Sequence, residues 1–268
     1  MRFVKAHPGM AAGLAILGLM ALMAVAAPVF APYSPYAQDL LYALEPPSAG
    51  HPMGRDLLGR DVLSRVVYGT RISFTVGFIV IGMNALIGVA AGCAAGAYGG
   101  RADFFLMRVT EMAQAFPGLL LAIAIMAALG PGFGNLLLAL CLTGWTGFAR
   151  LARAQVLSLR EREFVAAALA CGAGKGRLIF MHYLPNAAAP LLVEAAFGLA
   201  AVIVAEAGLS FLGLGVQPPE ASWGAMINEG RGFLLFAPHL AVFPGLCLFL
   251  LVLAVTLVGE ELRDIVKR

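Results

Sequence analysis

The chain has 268 residues, of which 61% are apolar and only 12% charged, against about 45–50% and about 25% in soluble domains. With a mean hydropathy of +0.89, this composition excludes a soluble globular protein and identifies an all-α integral membrane protein. The net charge of +3 is small, and no nucleic-acid partner is needed to explain it.

An α-helical span needs roughly 20 apolar residues to cross about 30 Å of hydrocarbon with its backbone internally satisfied. Six stretches qualify. The first, residues 9–31, follows Arg2 and Lys5, and Ala24-Val25-Ala26 has the form of a signal cleavage site. The run from Gly9 to Ala27 is longer than the about 7–15 residues of a signal core, so a retained anchor is expected. The segment 53–73, "MGRDLLGRDVLSRVVYGTRIS", contains Asp56/Arg60 and Asp61/Arg65 at i, i+4, a spacing that supports a helix. Val62, Val66 and Tyr68 give it an apolar side, and it is expected to lie on the outer membrane surface before the chain dives at Phe74.

The second span, 74–98, holds Asn84 beside Gly82 and Gly88, suited to an interhelical hydrogen bond or to a translocation path. The third starts near Asp103, carries Arg108 and Glu111 at the membrane edge and kinks at Pro117. "LGPGFGN" (129–135) reads as a tight turn into the fourth span, which ends near 149. In the fifth span, 191–212, Glu194 falls in the first turn after Pro190. Glu206 lies twelve residues on, about 18 Å further, where it would face a path or brace the Gly213, Gly215, Pro218, Pro219 excursion that follows. Trp223 suits the membrane–water boundary, and the sixth span covers 239–258.

Basic residues set the orientation. With the N-terminus inside, the inner pieces hold Arg2, Lys5, Arg101, Arg108, Arg150, Arg153, Arg160, Arg162, Lys175, Arg177, Arg263, Lys267 and Arg268, and the outer ones only Arg55, Arg60, Arg65, Arg71 and Arg231. Both termini are therefore expected in the cytoplasm. Arg150 and Arg153 read either as such anchors or as ligands of a partner. Cys93, Cys141, Cys171 and Cys247 form no metal or disulfide pattern, the four histidines are scattered, and no metal site is expected.

The cytoplasmic segment of about 150–190 is long for a protein with otherwise short connections, and such loops are usually functional. "ALACGAGKGRL" (168–178) invites a P-loop reading, but that template would place Leu169 at the first glycine and Gly176 at the Mg²⁺-binding hydroxyl, so it fails. What remains is an alanine-rich helix (about 162–171), a glycine break (172–176), an apolar piece (177–184) and a Leu-Pro-Asn restart. Small side chains with Phe164, Val165 and Leu169 suit docking into another protein's groove, or an amphipathic helix on lipid headgroups.

The same loop resembles the signature of ABC importer permeases, Glu-Ala-Ala-x3-Gly-x9-Ile-x-Leu-Pro, on Ala166-Ala167-Ala168, Gly172, His182 and Leu184-Pro185, with alanine for the glutamate and histidine for the isoleucine. Residues 53–73 and "LSFLGLGVQPPEASWGAMI" (209–227) resemble segments of the dipeptide, oligopeptide and nickel permeases, with Arg55 replacing a threonine; "AFPGLLLAI" (115–123) and "FPG" (243–245) extend the likeness. The chain is thereby identified as a member of that family.

The resemblance implies six transmembrane helices in a type I ABC importer permease fold, with an anchor and extracytoplasmic segment (1–73) and a core with its coupling loop (74–268). It implies a transport subunit with no catalytic residues, paired with a second homologous permease, two cytoplasmic ABC ATPases that bind ATP and Mg, an extracytoplasmic substrate-binding protein and membrane lipid in a bacterial-type inner membrane. No cofactor would be bound by this chain. The coupling residues it implies are Phe164, Val165, Ala166, Ala167, Ala168, Leu169, Gly172, Lys175, Arg177, Leu184 and Pro185; the path candidates are Glu206 and Asn84. The cargo would be dipeptides or oligopeptides, with nickel or a nickel chelate the alternative. A secondary carrier is the remote alternative, since neither an internal repeat nor a mid-membrane relay is evident.

Overall fold

The computed structural model describes residues 7–267, so Arg2, Lys5 and Arg268 of the expected inner charge set lie outside it. Nine helices organise the described residues. They are α1 Pro8–Val25, α2 Val62–Tyr98, α3 Gly100–Gln114, α4 Gly118–Leu129, α5 Phe133–Arg160, α6 Glu163–Ala170, α7 Leu184–Phe211, α8 Trp223–Gly230 and α9 His239–Lys267, with single turns between some of them. No strand occurs among the described residues, and one isolated bridge joins Arg55 to Asp61. Five helical segments are long and apolar enough to cross a bilayer, and α3 with α4 supplies a sixth as a pair bent by 79°. Pro117 therefore does more than kink one helix. It caps α4 from an extended conformation, φ −57° and ψ 121°, and separates two helices.

The fixed point of the fold is the contact of α2 with α5. Gly88, Gly92 and Gly96 recur every four residues on one face of α2, and a Cβ on the first two would strike the carbonyl oxygens of Trp145 and Ala149. At Gly96 it would meet Val156 at 2.8 Å. In hydrocarbon no hydrophobic force draws helices together, so such small-residue stripes let backbones approach and dispersion hold them. Asn84 begins the same row, one turn before Gly88. It is 1% exposed, its amide nitrogen abuts Gly144, and its Oδ1 has no partner.

Residues 53–73 do not form the expected separate surface helix. α2 begins at Val62 and runs unbroken past Phe74 to Tyr98, while 53–61 are turns. The acid–base spacing has another use. Asp61 is the N-cap of α2, accepting hydrogen bonds from the Ser64 amide and hydroxyl, each at 2.7 Å, and lying 2.8 Å from His51 Nδ1. Arg60 Nε donates to Asp56 at 2.6 Å, closing a turn. Arg65 bypasses Asp61 and donates to Asp56 and, at 2.7 Å, to Glu229 of α8. Arg65, Asp56 and Arg60 are at most 5% exposed, so the network is a buried bolt between the start of α2 and α8.

Trp223, expected at the membrane boundary, is also inside. It is 0% exposed at the first position of α8, and its indole N–H donates to the Val66 carbonyl at 3.0 Å. Gly69, whose Cβ would lie 2.8 Å from the indole, makes the room. The excursion after α7 forms as expected: Gly213, at φ +79°, ends the helix in a Schellman motif with Leu214 N bonded to Leu209 O and Gly213 N to Ser210 O.

Removing one partner from a buried charge cluster strands the others, at about 3–5 kcal/mol. Arg65→Met is therefore expected to lower the thermal unfolding midpoint of the detergent-solubilised protein markedly, with Arg65→Lys intermediate. An unchanged midpoint in Arg65→Met would show that the cluster contributes no folding energy.

Candidate functional site

The segment singled out between α5 and α7 folds as a short helical hairpin. α5 extends to Arg160, well past the apolar run, because residues 150–160 keep an amphipathic pattern; Ala152 and Val156 are buried against α2. Arg153 donates Nε to Asp103 Oδ1 at 2.5 Å and Nη2 to Oδ2 at 2.7 Å, tying α5 to α3, whereas Arg150 is exposed. After Glu161 and Arg162 the chain reverses into α6, Glu163–Ala170.

α6 presents two different faces. Val165 is 0% exposed and packs in a small core with Cys93 of α2, Ala152 and Val156 of α5, and Leu178 and Tyr183 beyond the turn. Ala168 is partly buried against the same core. Phe164 (41%), Ala166, Ala167 and Leu169 (54%) are exposed. One valine thus fixes the helix to the bundle while apolar and small side chains point outward, as a docking element requires.

Gly172 ends α6. Its φ of +82°, with Gly172 N bonded to Leu169 O and Ala173 N to Ala168 O, forms a second Schellman motif. A residue with a Cβ costs about 1–2 kcal/mol in that conformation, which accounts physically for a glycine here. Nothing lies within 4 Å of the position its Cβ would take, so the turn projects into open space.

The expected break at 172–176 is shorter than the glycines imply, and helix resumes at Lys175. There is no restart at Leu184 either. Lys175–Arg177 passes into a π-helical stretch, Leu178–Tyr183, that runs directly into α7. Pro185, exposed in the first turn of α7, has no N–H to give, and the Asn186 side-chain amide donates to the His182 carbonyl at 2.6 Å. Leu184 is half-buried in the Val165 core. Lys175 Nζ lies 4.7 Å from the Tyr98 ring centroid, the Phe164 and His182 rings meet tilted by 34° at 6.2 Å, and Arg177 is exposed. Arg160 Nη1 donates to the Gly96 carbonyl at 3.0 Å, a contact that sequence spacing could not announce.

The path candidates are placed differently from these. Glu206 is 0% exposed, accepting hydrogen bonds from Ser210 at 2.9 Å and Ser73 at 3.4 Å. It joins α7 to α2 and, through Ser210 against Gly215, braces the excursion. Asn84 lies between α2 and α5. In this chain both are enclosed by the protein's own helices, and neither borders open space. Glu194 sits mid-helix rather than in a first turn, since α7 runs through Pro190, and its Oε1 would lie 2.7 Å from a Cβ on Gly147. Among the described residues no cluster of His, Cys, Asp and Glu is arranged to hold a metal, and the four cysteines are free thiols.

The spans form a helical bundle with an exposed hairpin between α5 and α7. Residues 88–268 match the binding-protein-dependent transport system inner membrane component, and residues 1–47 match the N-terminal transmembrane domain of oligopeptide transport permease C. The chain belongs to this family of transport permeases. It is 41% identical over 263 residues, 98% of its length and 87% of the relative's, to the glutathione transport system permease protein GsiD of Pectobacterium atrosepticum. It is 44% identical over 221 residues, 82% of its length and 73% of the relative's, to the dipeptide transport system permease protein DppC of Alkalihalophilus pseudofirmus. The fold resembles a chain of the inward-facing MetNI methionine ABC transporter, with a TM-score of 0.62 at 17% identity over 76% of this chain and 96% of that one. This permease is thus a multi-pass inner-membrane subunit of an ABC importer, and its family works with ATPase and substrate-binding partners.

The two faces of α6 separate stability from function. Val165→Ala empties part of a closed core and is expected to cost about 2 kcal/mol, read as a lower unfolding midpoint. Leu169→Ala, on the exposed face, should leave the midpoint unchanged; equal losses would mean that α6 is not two-faced.

Proposed function

We propose that this permease subunit imports dipeptides or oligopeptides, and that α6 with its Gly172 turn is the element through which ATP hydrolysis reaches it. The observation that carries the coupling half is the exposed apolar face of Phe164, Ala166, Ala167 and Leu169 on a helix pinned by Val165. Support for the cargo half is that the relatives above are named as dipeptide and glutathione permeases, and glutathione is itself a small peptide. Nickel or a nickel chelate is the alternative outcome of the test.

In this reading a second, homologous permease subunit completes the path. Two ATPases bind ATP and Mg beneath it, and an extracytoplasmic binding protein delivers the peptide above. ATP-driven closure of the ATPases pushes α6 inward, and the Val165 core passes the displacement to α2 and α5. Ala166 in place of the signature glutamate leaves that dock without an ion pair at its centre, so shape and apolar contact carry it. Both termini, and the α6 hairpin with them, lie in the cytoplasm.

Co-expression with candidate ATPase and permease partners, affinity capture and a transport-linked ATPase assay test this directly. Peptide-stimulated turnover is the expected result, and stimulation by nickel complexes alone would reverse the cargo. Gly172→Trp should still insert but lose uptake, because bulk then fills the turn that docks. Gly172→Asn, which tolerates positive φ, should retain most of it; normal uptake by Gly172→Trp would refute the coupling role.

Orientation has its own readout in Cys171, which is exposed at the hairpin, whereas Cys93 is buried and Cys141 and Cys247 half-buried in the bundle. A membrane-impermeant maleimide is expected to label Cys171 only after the cells are permeabilised, with Cys171→Ala as the blank. Labelling of intact cells would place the hairpin, and both termini, on the other side.

A further inference from the structure

Where α1 and α2 diverge toward the bilayer they leave a cleft of about 880 Å³, floored by Ile203 of α7 and Leu251 and Val255 of α9. Its lining runs from Leu14 to Val25 along α1, about 16 Å at 1.5 Å per residue, close to half of the about 30 Å hydrocarbon thickness and so to the depth of one leaflet. The lining is apolar apart from a polar lip that includes Arg71.

Two observations say what the cleft holds. First, Arg71 marks the headgroup level, because residues 72–98 after it carry no charge. It donates Nε to Ala24 O at 2.7 Å and Nη2 to Val25 O at 3.3 Å, and no carboxylate among the described residues pairs with it. A guanidinium at that depth, with donors to spare, is complementary to a phosphate. Second, Gly18 lines the cleft with nothing within 4 Å of its Cβ position. Gly13 on the same helix serves close packing, its Cβ position lying 2.7 Å from Ala254 O of α9; Gly18 packs against nothing in this chain. A mid-helix glycine costs about 1 kcal/mol, and here it keeps space open.

We propose that this cleft is a phospholipid site, with an acyl chain between α1 and α2 and the anionic phosphate on Arg71. The lipid completes the packing of α1 against the bundle. Occupancy does not depend on the cargo or on the coupling role of α6.

The test is native mass spectrometry of the full chain, purified with its partner subunits and titrated with palmitoyl-oleoyl phosphatidylglycerol in detergent. One tightly held lipid per chain is expected. Arg71→Gln should weaken it about tenfold, the loss of about one charge-assisted hydrogen bond, and Arg71→Lys should restore most of the affinity. Gly18→Trp should abolish binding by filling the cleft, and Gly18→Leu should reduce it in protein that elutes as the wild type does. Undiminished binding in both Arg71→Gln and Gly18→Trp would overturn the site. So would a Gly18→Cys thiol that cross-links to the second permease subunit in the assembled complex, since that would make the occupant protein.

Discussion

The close approach of α2 to α5 is the constraint from which the rest of this permease follows. Gly88, Gly92 and Gly96 take α2's own side chains out of the contact at three successive turns, and a Cβ at any of them would collide with α5. In a bilayer, where burial of apolar surface does not favour one helix neighbour over lipid, that geometric fit selects the partner. Once α5 is laid along α2, its continuation to Arg160 carries Ala152 and Val156 beyond the apolar run. These form the floor on which Val165 settles. The α6 hairpin is thus held by the same helix pair that organises the spans.

α2 is also secured at its other end. Asp61 caps it, Arg65 bolts it to Asp56 and Glu229, and Trp223 hydrogen-bonds to its Val66 carbonyl. A single 37-residue helix therefore connects a polar cluster at one end to the hairpin at the other, where Arg160 holds Gly96 O and Lys175 rests on Tyr98. A displacement at the hairpin meets a stiff rod fixed at its far end, so α2 is suited to swing as a body rather than to bend locally.

Much of this could be read in the sequence, and the failures share a cause. The spans, the Gly-Pro-Gly turn, the Gly213 excursion and the alanine-rich helix were legible because hydropathy and chain-breaking residues act locally. Asp56, Arg60, Asp61 and Arg65 were misread because i, i+4 charge spacing fits a helix and a compact turn equally well, and the partner that decides, Glu229, is 164 residues from Arg65. Trp223 was placed at the interface by its residue type, yet the pocket that buries it is made by Gly69, whose significance appears only in three dimensions. On α6 the apolar side chains Phe164 and Leu169 were legible, and both are exposed. The pin at Val165 was not distinguished from its neighbours, since an alanine-rich octet has no period strong enough to mark one inward position.

The π-helical stretch at Leu178–Tyr183 sets the phase between two surfaces. In an α-helix each residue advances the direction of its side chain by about 100°, and a π turn takes in an extra residue without the matching rotation. The surface at Lys175–Arg177 and the faces of α7 are consequently not continuations of one another, although no loop separates them. The hairpin's azimuth is set by the count of residues between Arg177 and Leu184, the same stretch whose Leu178 and Tyr183 close the core around Val165.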